Sequence, residues 1–296
     1  MGVLWNVGVL YAGGLRDGIL FLEETLVVTS PLTHTSIETL TQVFNEAFSN
    51  YEVPIHMNEA QLKAHLHALG YSPEDSIGLF DGCTLVGFIL VAIRGTYAYD
   101  AGTGIIPSYQ GNGYAHQLID VTLAHIKQRG FTSFFLEVID TNERAKKLYL
   151  SHGFTITRSL LCYQIKKEML EDTSSVQLQK QERINIPSGD CIPSWQNSDA
   201  CISRGGFTAY DIVHDSVKRG VICFNPAKGS IAQIYIEPQY RRQGFAKQAI
   251  ISAKTCTETP TLGILNVSSD CEGINGVLTH MGFSLLLTQS EMVYTL

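Results

Sequence analysis

Read from the N-terminus, the chain alternates short apolar runs with segments of helical period. Leu26 to Thr29 is predicted as a strand, and Ser36 to Ser49, with Leu40, Val43, Phe44 and Phe48 on one stripe, as an amphipathic helix. A turn over Asn50 to His56 leads into a second helix, Asn58 to Leu69. Ser76 to Phe80, Thr84 to Arg94 and Ala98 to Ile106 follow as strands with short turns, Asp81-Gly82 marking a hairpin. Ala115, Leu118, Ile119, Thr122 and Ile126 then recur at helical spacing, and Phe131 to Val138 returns to a strand dense in aromatic and β-branched residues. Asp140, with Glu143 three residues on, is expected to open a helix through Tyr149, and Gly153 to close it in the left-handed conformation. Phe154 to Arg158 and Leu160 to Lys166 read as two closing strands. The order is mixed α/β (α+β) around a largely antiparallel sheet with flanking helices.

The pattern then starts again. Past the charged, serine-containing stretch Lys167 to Lys180 come strands at Phe207 to His214, Gly220 to Phe224 and Ile231 to Ile236, a helix from Phe245 to Cys256, a strand Leu262 to Val267, and a terminal helix and strands. The repetition is literal around one turn: Ile105/Ile236, Pro107/Pro238, Tyr109/Tyr240, Gly113/Gly244, Ala115/Ala246, Gln117/Gln248 and Ile119/Ile250 are identical at one offset of 131 residues. Chance similarity does not hold register in this way. The chain of 296 residues therefore divides into an extension of unknown role (1–24), a first domain (25–168), a linker (169–184) and a shorter second domain (185–296).

The repeated turn is a strand, a glycine-rich loop and a helix. Such a loop aims the unpaired N–H groups of the first helical turn, with the positive end of the helix dipole, at one spot where an anion can sit. Gly111 and Gly113 have no Cβ, so a phosphate can approach the backbone and positive φ is allowed. A dinucleotide-binding fingerprint is excluded because its third glycine is missing, His116 following Ala115, and a Walker-type loop because no Gly-Lys-Ser/Thr ends the turn.

Gln110-x-x-Gly113-x-Ala115, with Pro107 upstream, resembles the acetyl-CoA loop of the GCN5-related N-acetyltransferase (GNAT) family, and Arg241-x-x-Gly244-x-Ala246 resembles it a second time. Leu136-Glu137-Val138 with Asn142, Ala145, Tyr149 and Gly153-Phe154 resembles the second signature of that family, in the form found in ribosomal-protein-alanine acetyltransferases. The resemblance implies two tandem GNAT-like domains and transfer of acetyl from acetyl-CoA to an amine by direct attack. It implies that Ile105, Ile106, Gln110, Gly111, Asn112, Gly113, Tyr114, Ala115 and Asn142 bind the cofactor, Asn142 otherwise starting the helix. Glu137 would be the general base, through water, and Tyr149 the general acid; Asp100 on the neighbouring strand is a competing base. In this family the segment between the first two helices borders the acceptor pocket, which makes Tyr51 and His56 substrate-side candidates.

The chemistry asks for such groups. An alkylamine is protonated near neutral pH and cannot attack a thioester until it loses a proton, so a carboxylate is useful. The departing thiolate needs a proton, which a phenol can deliver, and the oxyanion needs a donor, for which the N–H of Ile105 or Ile106 is placed. In the second repeat, aligning Leu265-Asn266-Val267 with Leu136-Glu137-Val138 and Gly282-Phe283 with Gly153-Phe154 gives one offset of 129. There Asn266 replaces Glu137, Cys271 replaces Asn142 and Leu278 replaces Tyr149, while Arg241, Arg242, Gly244 and Ala246 keep a possible second cofactor loop. Two loops with one catalytic set leave a non-catalytic acyl-CoA-binding or regulatory protein as the alternative.

Composition narrows the rest. A net charge of −7 argues against a nucleic-acid binder and suits a cationic small-molecule or peptide amine. Seven scattered cysteines without a Cys-x-x-Cys pair suggest buried thiols in a reducing, cytoplasmic setting, and neither they nor the nine histidines carry metal spacing. The apolar run Val86 to Ile93 is far short of a membrane span, and residues 1–26 have no basic residue before Arg16, so no secretory signal or membrane partner is expected. The acceptor and the oligomeric state stay open.

Overall fold

The computed structural model describes residues 8–16, 19–50 and 55–296, with side chains from Val27 onward. The elements begin with β1 (Gly8–Arg16), β2 (Ile19–Pro31), α1 (Ile37–Ala47), α2 (Glu59–Leu69), β3 (Ile77–Asp81), β4 (Thr84–Arg94) and β5 (Tyr97–Ile105). They continue with α3 (Tyr114–Gln128), β6 (Ser133–Ile139), α4 (Glu143–Ser151), β7 (Thr155–Lys166), β8 (Gln177–Lys180) and α5 (Asp199–Arg204). The remainder are β9 (Thr208–His214), β10 (Val217–Asn225), β11 (Ser230–Ile236), α6 (Phe245–Ala253), β12 (Thr261–Ser268), α7 (Glu272–His280) and β13 (Ser284–Thr295). Two compact units emerge: Met1–Leu136 with Lys147–Phe154 and Val293–Leu296, and Glu137–Lys146 with Thr155–Met292.

In the first unit β1 to β5 form a meander of antiparallel neighbours. β4 is buried without a break from Leu85 to Ala92, because α1, α2 and α3 all pack on it, and this is why it reads as a continuous apolar run. Ser36 caps α1, and Asn58 with Gln61 forms a capping box on α2, which ends at Gly70 in the left-handed conformation. At Gly104 a Cβ would lie 2.9 Å from Ala47 and from the Phe88 ring, so glycine lets α1 rest directly on β5. β6 then runs parallel to β5, but only over Tyr97–Tyr99 against Ser133–Phe135.

The second unit repeats the plan. β8 to β11 are antiparallel neighbours, β12 runs parallel to β11 over two residues, Ser230 and Ile231, and β7 pairs antiparallel with β12. Its core gathers Ile212, Ile222, Phe224, Ile250, Leu262 and Leu278.

Several expectations change. β1 adds an antiparallel strand to β2 within the 1–24 extension, and β2 is much longer than the expected Leu26 to Thr29. Within the expected linker, Gln177–Lys180 forms β8; its polar sequence at a sheet edge offers no hydrophobic alternation to read. The two closing strands are one, β7, since Ser159 merely continues its polar phase and accepts a backbone hydrogen bond from Ser269 (2.9 Å). Cys191 and Cys271 are disulfide-bonded, contrary to the expectation of free, buried thiols; 80 residues separate them in sequence and 5.6 Å between Cα atoms in space. Cys83 and Cys256 are exposed rather than buried. Among the described residues no helix is long and apolar enough to cross a membrane.

One buried charge fastens the first unit. The Asp75 side chain is fully buried, accepts from Ser72 Oγ (2.7 Å) and pairs with Arg129 Nε (3.0 Å), with His125 Nε2 at 3.4 Å. Burial alone raises its pKa, but the hydrogen bonds from His125 and Ser72 and the Arg129 charge outweigh it and hold the carboxyl below its ordinary value. Its stabilisation is thus fully present above about pH 4, the unfolded value, and is lost as pH falls through the lower folded value. Asp75→Asn is expected to lower the unfolding free energy at pH 7 by about 2 kcal/mol. In urea titrations at decreasing pH, the gap between wild type and variant should close below about pH 4.

Candidate active site

The loop between β5 and α3 is built as its sequence suggests. Pro107–Tyr109 make one tight 3-10 turn, in which Tyr109 N–H donates to Ile106 O (3.0 Å) and Gln110 N–H to Pro107 O (3.2 Å). Gly113 then caps α3 at φ 81 and, having no side chain, leaves the N–H groups of the first turn uncapped by any side chain. A Cβ at Gly111 or Gly113 would meet no heavy atom within 4 Å, so packing does not demand glycine there. What demands it is backbone conformation, φ 84 and 81 respectively, and open space above the amides suits a pyrophosphate. Tyr114 is buried beside Tyr109, and the Tyr109 hydroxyl donates to Asp81, which anchors the turn on β3.

The Gln110 side-chain amide donates to Ile105 O (2.8 Å), bracing the loop back onto the strand that feeds it. Asn112 likewise turns its amide onto Tyr109 O (3.3 Å). Of the two candidate oxyanion donors, the Ile106 N–H is taken by Val86 O (3.0 Å). Because an antiparallel strand presents alternate N–H groups to alternate sides, that of Ile105 faces away from β4, along the edge where pairing with β6 has ended.

Asp100 lies where β5 and β6 part, at a register shift between Leu90 and Val91 that leaves Ala101 unmatched. Its carboxylate accepts from Thr103 Oγ1 (2.6 Å), Gly102 N–H (2.9 Å) and the Tyr149 hydroxyl (3.1 Å). Burial pushes its pKa up, against the pull of those three hydrogen bonds. Tyr149 is itself buried, at 7% exposure, with its ring edge-on to Phe154. Thus the acid candidate rests on the strand that leads into the loop.

Residues 37–154 match the profile described as the acetyltransferase (GNAT) family. By that match this segment is similar to GNAT acetyltransferase domains. No curated protein matches the chain by sequence. Among solved structures, a GCN5-related N-acetyltransferase from Sphaerobacter thermophilus aligns with a TM-score of 0.65 at 10% identity, covering 91% of this chain and 95% of its own. A tandem GNAT protein from the clavulanic acid biosynthesis pathway aligns at 0.64 with 12% identity, covering 91% and 98%. The ribosomal-protein-S18-alanine N-acetyltransferase from Escherichia coli aligns over 45% of this chain and 81% of its own, with 20% identity and a TM-score of 0.39. The first two likenesses establish a tandem GNAT-like fold across most of the chain.

The second loop repeats the backbone features of the first. Pro238–Tyr240 form the same 3-10 turn, Gly244 caps α6 at φ 86, and Arg241 Nε donates to Ile236 O (3.1 Å) where Gln110 donates to Ile105 O. Arg242 occupies the place of Gly111 and bears its left-handed conformation, φ 62, at a cost glycine avoids. Arg241 is further paired with Asp190. The 129-residue alignment also holds: Phe154 N–H donates to Tyr149 O (3.1 Å), and Phe283 N–H to Leu278 O (3.0 Å), each behind a left-handed glycine.

The remaining candidates fall as follows. Asn142 Oδ1 accepts from Ala145 N–H (3.1 Å) and so caps α4. Asp140, expected to be that cap, is drawn off by Lys146 Nζ (3.0 Å) and Ser290 Oγ (2.6 Å). Glu137 belongs to the second unit, where its Oε2 accepts from Asn266 Nδ2 (2.6 Å) and Gln196 Nε2 (3.0 Å). His56 is exposed, and Tyr51 lies outside the described residues.

The loop glycine is open to test. Gly113→Ala is expected to cost roughly 1–2 kcal/mol of stability from its left-handed backbone. It should also weaken acetyl-CoA binding, measured by calorimetry, by at least about tenfold, since the new methyl enters the ligand's approach. Gly82→Ala, at φ 58 in the β3–β4 turn with nothing within 4 Å, is the control: similar loss of stability, unchanged binding.

Proposed function

We propose that the protein is an N-acetyltransferase that moves acetyl from acetyl-CoA directly to an amine of a small molecule or peptide, using the first loop for the cofactor. The observation that carries this reading is the Tyr149 hydroxyl held by Asp100 on β5, the same strand that ends in the glycine-capped loop. A proton donor and an anion cradle on one strand are what a departing CoA thiolate requires.

The residues present fit the cofactor: open space at Gly111 and Gly113 and an uncapped first turn of α3 for the pyrophosphate, and the outward N–H of Ile105 for the thioester carbonyl. Glu137 takes the proton from the incoming amine through water, and Tyr149 gives its proton to the thiolate. Asp100 is the poorer base, because burial and three donors already occupy its carboxylate. The Ile105 N–H stabilises the oxyanion as the tetrahedral centre forms. We assign the second loop no turnover, since Leu278 and Asn266 replace the acid and the base.

Calorimetry with acetyl-CoA on the whole chain is expected to lose one site in Gly113→Trp and keep it in Gly244→Trp; the reverse moves the cofactor to the Arg241 loop. Thiol release from acetyl-CoA is then followed with spermidine, an amino acid, an aminoglycoside and an alanyl peptide. Tyr149→Phe should lower kcat for the active amine by about 10²-fold while leaving acetyl-CoA binding unchanged. Binding without release on any amine would favour an acyl-CoA-binding protein instead.

A further inference from the structure

A partly buried polar network surrounds Glu137. Asn266 Nδ2 and Gln196 Nε2 both donate to Glu137 Oε2, at 2.6 and 3.0 Å. The Oδ1 of Asn266 accepts from Gln289 Nε2 (2.7 Å) and from the Cys162 thiol (3.2 Å), which leaves its Nδ2 for Glu137. Asn266 is almost wholly buried and sits on β12 at a register shift between Ile264 and Val267, with φ 57. A left-handed non-glycine residue costs free energy, which the surrounding structure must offset, and such outliers gather at functional sites.

We infer that Asn266, in the second repeat, is a positioning residue for Glu137 of the first: with Gln196 it holds the carboxylate in one orientation as an ionised acceptor. This rests on the reading of Glu137 as the general base. Both partners are neutral amides that have only N–H to offer Oε2, so a proton on that oxygen would meet two donors and no acceptor. Hydrogen bonds to the charged form favour that form. Three of the groups beside Glu137 carry no competing charge. From β7 comes the Cys162 thiol, kept neutral by burial foremost and by the Glu137 charge besides, against hydrogen bonds from Asn266 and Gln289. From β12 and the segment before α5 come the two amides. The alignment gives the exchange its sense: at the position where the second repeat lost its own carboxylate, it carries the amide that serves the carboxylate of the first.

The test is a carbon-13 NMR titration of the Glu137 carboxyl in the full chain, labelled at glutamate and assigned by its loss in Glu137→Gln. Asn266→Gly removes the amide while accepting the positive φ. It should raise the Glu137 midpoint by about one unit, and Asn266→Asp should raise it further because two carboxylates then share the site. Gln196→Ala, on a loop, should raise it in the same direction and guards against misfolding of the strand variants. Where spermidine or an alanyl peptide turns over, the acid limb of kcat/KM should move by the same amount. An unmoved midpoint in both Asn266→Gly and Gln196→Ala overturns the inference, as does a midpoint that moves while the kinetic limb stays. A limb that persists in Glu137→Gln instead removes the base reading on which it rests.

Discussion

A backbone N–H in a sheet has to find an acceptor, and the early parting of β5 from β6 leaves that need to be met by something other than a strand. Pairing holds for three residues and then ends, while β5 continues to Ile105 against β4 on its other side. The features of the first site follow from this edge. Asp100 stands at the point of parting, Ile105 presents its N–H along the edge, and the loop beyond places the amides of α3 at its end. A helix in the usual arrangement would cap its own first turn with a serine or aspartate; here glycine leaves the amides without a side-chain cap.

The two repeats separate what the fold needs from what the chemistry needs. The 3-10 turn, the left-handed glycine at the helix start and the side-chain brace onto the preceding strand occur in both. They belong to the architecture of the loop. Gln110 and Arg241 differ in charge yet make the same hydrogen bond, so the shared role of that position is to hold the loop's shape. Tyr149 and Leu278 share a backbone environment and differ in chemistry: the hydroxyl reaches Asp100, whereas the leucine is fully buried in its own core.

Electrostatics divides the two acidic candidates. Asp100 is enclosed and its pKa is raised, and its oxygens are spent on Thr103, Gly102 and Tyr149, which suits a group that orients a phenol. Glu137 is only partly buried and receives neutral amide donors, which suits a group that stays charged. Burial and hydrogen bonding thus place the two carboxylates in different surroundings.

The sequence by itself determined what depends on neighbours along the chain: α1, α2 and α3, the strands β4 and β5, the two glycine loops, and the place of Tyr149 relative to Gly153. Period, capping and left-handed glycines are local, so contiguous residues carry them. Even locally it erred at α4, where Asp140 and Asn142 are equally good caps on paper and only the reach of Lys146 and Ser290 takes Asp140 away. The tertiary structure alone decided the pairings: Tyr149 with Asp100 across 49 residues, Cys191 with Cys271 across 80, and Asn266 with Glu137 across 129. No periodicity records which distant side chain meets which, because that is fixed by how sheets register and where they bulge.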